Sequence, residues 1–409
     1  MGIAADESLD GTTGVAVLKQ QHILVVADVS AELVIGGAER MLDHHIRALI
    51  EAGLEITVLS RQPTPDAPRH IKLHNGVHEH RLPFSGDKGL RGLLQLKREA
   101  RIWWQSHQGF DAVVAEQPFT MWGLLQAGCR LPRVQICHSF AFEEYATRHG
   151  LDWNLKHRLI TAAMRQLEGS VYRSANAALV LSQFMQDRLH TFFHIPQEMV
   201  TIAAGGIEVL DVSWEKRNAL RQSLWGSEAA LPHVVTLRNL VPRTGVDLLI
   251  QAAAIVHVDR PDVRWTIIGT GELLKPLQGL SATLGMQDVI TFQGFLVEKK
   301  VSQQLLAADV FMLPTRSLEG FGLVTLEANA HGLPVIATPV GANPDVVGWS
   351  PMNHIAENPT PDALAQSLLR YLNQMPDLTQ RQELSHATHC HFTWQKHDDA
   401  LLQAVNSLA

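Results

Sequence analysis

The sequence predicts an α/β protein built as two doubly wound halves that face each other across a cleft. Short β-branched apolar runs, the kind buried in parallel sheets, recur along the chain with helical patterns between them. The first run opens a strand–glycine loop–helix–strand unit, the building block of doubly wound sheets. The alternation weakens between Ile207 and Leu231 and then starts again. A length of 409 residues suits two or three domains. Two similar halves leave a cleft between them, the usual place for a ligand that must be enclosed.

The elements follow in order. MGIAADESLDGTTG at the start is acidic and small, with neither a basic start nor an apolar stretch for export, so residues 1–20 read as a flexible tail. HILVVADV (His22 to Val29) is the first strand, followed by a loop with Gly36 and Gly37. A helix runs from Ala38 to about Ala52, Gly53 stands at its C-cap, and EITVLS (Glu55 to Ser60) is the next strand. KGLRGLLQLKREARIWW (Lys88 to Trp104) reads as a helix, and Arg148 to Arg173 as another helical stretch. DAVVAE (Asp111 to Glu116), RVQIC (Arg133 to Cys137), AALVLS (Ala177 to Ser182) and MVTIA (Met199 to Ala203) complete the first set of strands. The second set is HVVTL (His233 to Leu237), VRWTIIG (Val263 to Gly269), VITFQG (Val289 to Gly294), VFMLP (Val310 to Pro314) and PVIAT (Pro334 to Thr338). From about Asp362 the chain is helical throughout, ending in an amphipathic capping segment, Phe392 to Val405.

Composition narrows the class. Apolar residues make up 46% of the chain and charged residues 18%, enough for a sizeable core. A net charge of −7 argues against general nucleic-acid binding. Three scattered cysteines, Cys129, Cys137 and Cys390, suit neither a disulfide framework nor a thiolate metal site, and a reducing cytosol fits them best. No run approaches the roughly eighteen apolar residues that cross a bilayer.

The chemistry concentrates in LPTRSLEGFGLVTLEANAHGLPVIATPVGANPDVV (Leu313 to Val347). Glu319 and Glu327 flank a GFG turn that follows a strand and feeds a helix. Unpaired N–H groups and the positive dipole end favour a phosphate there. Gly320 and Gly322 let a ligand approach the backbone. Glu327, two turns into the helix, and Glu319, before the turn, are each suited to hydrogen-bonding vicinal hydroxyls. Alone, two glutamates read as the flanks of an ordinary strand–helix junction on a solvated face.

In context the segment resembles the E-x7-E signature of retaining glycosyltransferases with the GT-B fold, closest to the large bacterial family of cell-surface mannosyl- and glucosyltransferases. EGFGLVTLEANAHGLPVIAT followed by GANPDVV matches the pattern almost position by position. Gly36–Gly37–Ala38–Glu39, LVLSQFMQDRL (Leu179 to Leu189), GGIE (Gly205 to Glu208), IIGTGELLKPL (Ile267 to Leu277), ITFQGF (Ile290 to Phe295), AADVFMLP (Ala307 to Pro314) and Phe392–Thr393–Trp394 follow in the family's order. The resemblance implies a Rossmann-like acceptor domain over 21–208 and a Rossmann-like donor domain over 209–388. It also implies a C-terminal helix, 389–409, that crosses back onto the first domain. It places Gly36, Gly37, Asn239, Thr244, Gly269, Gly271, Phe295, Gly320, Phe321, Gly322, Leu323, Val324, Thr325 and Glu327 at the donor. His138, which begins the loop HSFAFEEY, matches a family histidine beside the reacting sugar, although a lone histidine among 21 is more often structural.

One stretch departs from the pattern. The family carries arginine and lysine as G-R-x-x-x-x-K-G after the first strand of the second domain, and both neutralise the leaving diphosphate. Here Asn239 and Thr244 stand at those positions, while Arg238 and Arg243 each lie one residue earlier. Strand alternation turns Arg238 to the wrong face, whereas Arg243, in a loop and always charged, suits the lysine's role. Losing one fixed donor to developing charge costs about 3–4 kcal/mol.

The implied function is retaining, metal-independent transfer of a hexose from a UDP- or GDP-sugar to an acceptor hydroxyl, with Glu319, His138 and Arg243 as the catalytic set. No D-x-D triplet is present. The acceptor is a glycan, a lipid-linked or a small molecule, in cell-surface glycan, glycolipid or glycosylated-metabolite synthesis. A catalytically weak GT-B protein that binds nucleotide sugar or glycan, and a GT-B epimerase, stay open. On the helix after Lys88, Arg91, Lys97, Arg98 and Arg101 share an arc beside Leu93, Leu96, Trp103 and Trp104. That pattern suits either a solvated domain helix or peripheral contact with an anionic membrane at its cytoplasmic face. Oligomeric state is not legible.

Overall fold

The apolar runs become strands at the predicted places. A computed structural model describes residues 21–32, 37–83, 89–150, 154–208 and 213–408. The tail and Gly36 therefore lie outside the described residues. The first half runs β1 (His22–Val26), α1 (Gly37–Glu51), β2 (Glu55–Arg61), β3 (His70–Lys72), β4 (His78–Leu82), α2 (Leu90–Ser106), β5 (Ala112–Ala115), α3 (Pro118–Gln126) and β6 (Arg133–Cys137). It continues with α4 (Ala141–Arg148), α5 (Leu155–Tyr172), β7 (Ala177–Val180), α6 (Gln183–Phe193) and β8 (Val200–Ile202). Its eight strands lie in the order β3-β4-β2-β1-β5-β6-β7-β8, parallel except for the β3/β4 pair. β1 pairs with both β2 and β5, so the chain reverses its direction of winding there, and ligands of such sheets sit at the strand carboxyl ends.

The second half begins with α7 (Arg217–Trp225), β9 (His233–Leu237), α8 (Val246–Asp259), β10 (Arg264–Ile268), α9 (Leu274–Thr283), β11 (Ile290–Gly294) and α10 (Glu298–Ala307). It goes on through β12 (Val310–Leu313), α11 (Leu323–Ala330), β13 (Val335–Ala337), α12 (Asn343–Val347), β14 (His354–Ile355), α13 (Pro361–Leu372), α14 (Leu378–His391) and α15 (Trp394–Asn406). Its sheet is β11-β10-β9-β12-β13-β14, with every pair parallel. Each strand set fills its own core: Ile23, Val25 and Val114 in the first, Val234, Ile267 and Met312 in the second.

α15 leaves the second half and buries Leu401, Ala404 and Val405 in the core of the first. The crossing is pinned where Ile207 N donates to Phe392 O at 3.1 Å and Ile207 bridges Thr393. A shared apolar contact of Met41, Leu181, Phe321, Leu326 and Phe392 joins the halves beside it.

Two readings are corrected and one is narrowed. The stretch from Arg148 to Arg173 is not one helix, because α4 ends at Arg148 and α5 starts afresh after Asn154, whose side chain accepts from His157 N. The C-terminal stretch breaks around Pro376, after which Asp377 and Gln380 form a capping box, and again at Thr393. On α2, Leu96 and Trp103 face the core, while the exposed apolar side chains are Leu90, Leu94 and Ile102. Strands β3 and β14 escaped the sequence because they are short edge strands, and β4 because its residues, HEHRL, are mostly polar although it lies between β3 and β2. Among the described residues no helix is long and apolar enough to cross a membrane.

Candidate active site

Past β12 the chain turns through Leu318, whose φ of 59° is left-handed and uncommon for a residue with a Cβ. The turn carries Glu319 inward. Its Oε2 accepts from Arg238 Nη2 at 2.7 Å and from Thr315 Oγ1 at 3.1 Å. Burial pushes the Glu319 carboxyl up, but Arg238 and Arg243 outweigh it and hold the group below the usual carboxylate range. Arg243 Nη1 donates to the neighbouring Leu318 carbonyl at 3.1 Å. Both displaced arginines therefore converge on the Glu319 turn. The reading that Arg238 faces away is corrected: β9 ends at Leu237, so strand alternation no longer governs its direction.

The in-register positions are spent differently. Asn239 is exposed, and Thr244 is buried with its Oγ1 donating to the carbonyls of Asn239 and Val241, both at 2.8 Å. Thr244 thus locks the loop that carries the arginines. Gly269 and Gly271 pack on the same loop, where a Cβ would fall 1.9 Å from Arg238 O and 2.3 Å from Leu240 O. Phe295 lies just beyond β11, 71% exposed.

The GFG turn sits between the halves. A Cβ on Gly320 would lie 2.7 Å from His138 O, and the Gly320 carbonyl accepts from Ser182 Oγ at 2.6 Å. That contact seats the Glu319 turn against the His138 loop. Phe321 fills the apolar contact with Met41 and Phe392, and Leu323 packs there too. Val324 leans on the second core. Gly322 precedes α11 with φ 82° and gives its first turn no side-chain cap. Thr325 Oγ1 and Arg238 Nε are buried without a hydrogen-bond partner among the described residues. Gly37, across the cleft, faces Leu323. Glu327 is ion-paired across the cleft with Arg40; burial raises its carboxyl pKa and Arg40 opposes the rise.

His138 Nε2 meets Glu116 Oε2 at 2.8 Å, and Glu116 Oε1 meets His45 Nδ1 at 2.7 Å. His45 Nε2 in turn meets His397 Nε2 at 2.7 Å. Arg238 was set aside in the sequence, and Arg40, Glu116, His45 and His397 were not singled out. Glu116 had a usable signal, since it directly follows a buried parallel strand and so stands at the cleft edge. His45 and His397 had none, being histidines within amphipathic helices.

Beside this edge, the first half holds a cavity of about 1100 Å3. Leu93, Leu96, Ile160, Met164 and Leu167 give it apolar walls, and Arg61, Arg148 and Lys156 line it as well. Leu90 and Leu94 of α2 and Leu155 and Leu159 of α5 are exposed on the two helices that wall it.

Two parallel α/β halves with a returning helix and a carboxylate–arginine edge define a GT-B protein. Residues 225–401 match glycosyl transferases group 1, and residues 35–209 match glycosyltransferase family 4. The chain belongs to the GT-B glycosyltransferases of group 1. It is 27% identical over 250 residues to an uncharacterized glycosyltransferase of Methanocaldococcus jannaschii, covering 60% of this chain and 61% of that one. It is 37% identical over 122 residues to a GDP-mannose-dependent alpha-(1-6)-phosphatidylinositol monomannoside mannosyltransferase of Mycolicibacterium smegmatis, covering 28% and 32%. The matches thus span less than two thirds of these relatives' lengths.

Among solved structures, sucrose-phosphate synthase from Thermosynechococcus elongatus superposes with a TM-score of 0.80 at 18% identity, over 95% of this chain and 99% of that one. Anabaena HepE, solved in complex with UDP and glucose, superposes with a TM-score of 0.70 at 18% identity, over 95% and 100%. Both show the same fold.

Proposed function

We propose that the chain is a retaining hexosyltransferase that moves a sugar from a UDP- or GDP-sugar to an acceptor hydroxyl without an obligatory metal. One observation carries the reading: buried, ionised Glu319, the cations Arg238 and Arg243 and the uncapped first turn of α11 meet His138 at a single cleft edge. In the proposed reaction the acceptor hydroxyl attacks the anomeric carbon as its bond to the diphosphate breaks. The hydroxyl proton passes to the departing phosphate oxygen. The first turn of α11 and Arg243 neutralise the leaving diphosphate, a preorganised electrostatic role. Glu319 and His138 hydrogen-bond the sugar, and Glu327 the ribose, exchanging Arg40 for the hydroxyls. Relatives that use GDP-mannose and a neighbour that holds UDP support a nucleotide-sugar donor.

For the acceptor, the apolar cavity with cations in its lining favours an amphiphile such as a lipid-linked glycan. The exposed leucines of α2 and α5 with Arg91, Lys97 and Arg101 favour collection of that acceptor at an anionic, cytoplasmic membrane face. A nucleotide-sugar binder with weak transfer is the second reading, because Asn239 and Thr244 contribute no charge.

A thermal-shift screen with UDP, GDP, ADP and their sugars tests the donor site. A ligand at about a hundred times its dissociation constant adds about 2.7 kcal/mol of stability. Arg243→Ala is expected to weaken nucleoside-diphosphate binding by about tenfold or more, as loss of a charged hydrogen bond does. No response to any nucleotide would refute the reading, and unchanged affinity in Arg243→Ala would refute that residue's role.

A further inference from the structure

Four ionisable side chains from four elements form one chain of hydrogen bonds that ends on a backbone carbonyl. His138 follows β6, Glu116 follows β5, His45 lies on α1 and His397 on α15. His45, Glu116 and His397 are buried, and His138 is the member that reaches the cleft edge. The rings of His45 and His397 are nearly coplanar and meet edge to edge, with centroids 5.0 Å apart and 4° between planes. His397 Nδ1 faces Ala203 O at 3.0 Å and Ala204 O at 3.3 Å.

A carbonyl only accepts, so His397 Nδ1 carries a hydrogen. Burial, with His45 and His44 nearby, brings the His397 pKa down to about 4, which leaves the ring neutral and its Nε2 an acceptor. The proton between the two Nε2 atoms therefore belongs to His45. Burial pushes the Glu116 carboxyl up, but His45 and His138 more than offset this and hold it at about 2. An ionised Glu116 accepts on both oxygens, so His45 Nδ1 and His138 Nε2 both donate. His45 then donates from both ring nitrogens, to Glu116 and to His397. His138 is left with Nδ1 as the nitrogen outside the chain. The other titratable pair packed here, His44 with Asp398, satisfies itself at 2.7 Å.

We propose that the returning helix α15, through His397, fixes the tautomer of His138, so that His138 offers Nδ1 to the cleft as a hydrogen-bond acceptor for a hydroxyl of the donor sugar. Glu116, His45 and His397 are positioning residues: none is exposed to a substrate, and each acts through the next. If His397 loses its acceptor nitrogen, the hydrogen that faced it has no partner, and the chain of hydrogen bonds reorders to place a hydrogen on Glu116. The hydrogen on Glu116 then points to His138 Nε2, and His138 turns over to the Nδ1–H form. The catalytic consequence rests on the transferase reading, whereas the tautomer does not.

Imidazole 15N and 13C NMR on the full chain, with His138→Asn to assign the resonance, reads the tautomer without turnover. The expected wild-type state is hydrogen on Nε2 and none on Nδ1. His397→Phe should shift His138 toward the Nδ1–H form and lower kcat by about tenfold, the scale seen when outer partners of a site are removed. KM for the donor should stay within about twofold, because the loss falls on the reacting state. His397→Gln should keep both, since its amide can accept from His45 and donate to Ala203. A wild-type His138 carrying hydrogen on Nδ1 would overturn the proposal, as would a folded His397→Phe with unchanged tautomer and kcat. If no sugar is turned over but the Nε2–H tautomer is found, the proton assignment stands and the transferase reading alone fails.

Discussion

A carboxylate as buried as Glu319 stays ionised only beside a cation, and Arg238 is that cation. Removing one partner of such a pair strands the other and costs about 3–5 kcal/mol, whereas replacing both is close to neutral. Arg238→Met should therefore lower unfolding stability in urea by about 3 kcal/mol, and adding Glu319→Gln should restore most of it. Simple additivity of the two substitutions would contradict the pairing. Glu319 and Glu327 stood out in the sequence because their segment resembles the family's E-x7-E signature, which their spacing alone would not have carried. Arg238 was misread because strand alternation was carried past Leu237, where β9 ends. Glu116 could have been read from its place just past a buried strand, but His45 and His397 were invisible, since their contacts join positions 71 and 352 residues apart that no local pattern links.

At the scale of elements, α2 and α5 present leucines and cations to the outside while walling the apolar cavity of the first half. Helical spacing gave the cationic arc of α2 correctly, but it could not tell which apolar stripe would find the core. Leu96 and Trp103 did, and Leu90, Leu94 and Ile102 did not. The double substitution Leu90→Ser and Leu94→Ser should lower binding to vesicles rich in anionic lipid by about tenfold or more, given about 1.5–3 kcal/mol for each leucine fully buried. Sedimentation of wild type and variant with the vesicles measures it. Equal binding would remove the membrane role from this face.

Across the whole molecule, the two sheets were legible because buried parallel strands are continuous apolar runs, and their carboxyl ends define the cleft. How the halves close was not, because it depends on contacts far apart in sequence. The Ile207–Thr393 bridge, Phe321 between the domains and the Arg40–Glu327 pair tie the second half to the first. α15 extends that tie into the buried histidine chain. The central claim is that this closed edge transfers sugar from a nucleotide donor. Its most direct test is release of nucleoside diphosphate with sugar transfer to a lipid-linked acceptor, measured for the wild type and Glu319→Ala. The account predicts turnover by the wild type and at least about a hundredfold loss in Glu319→Ala. Unchanged turnover in Glu319→Ala would contradict it.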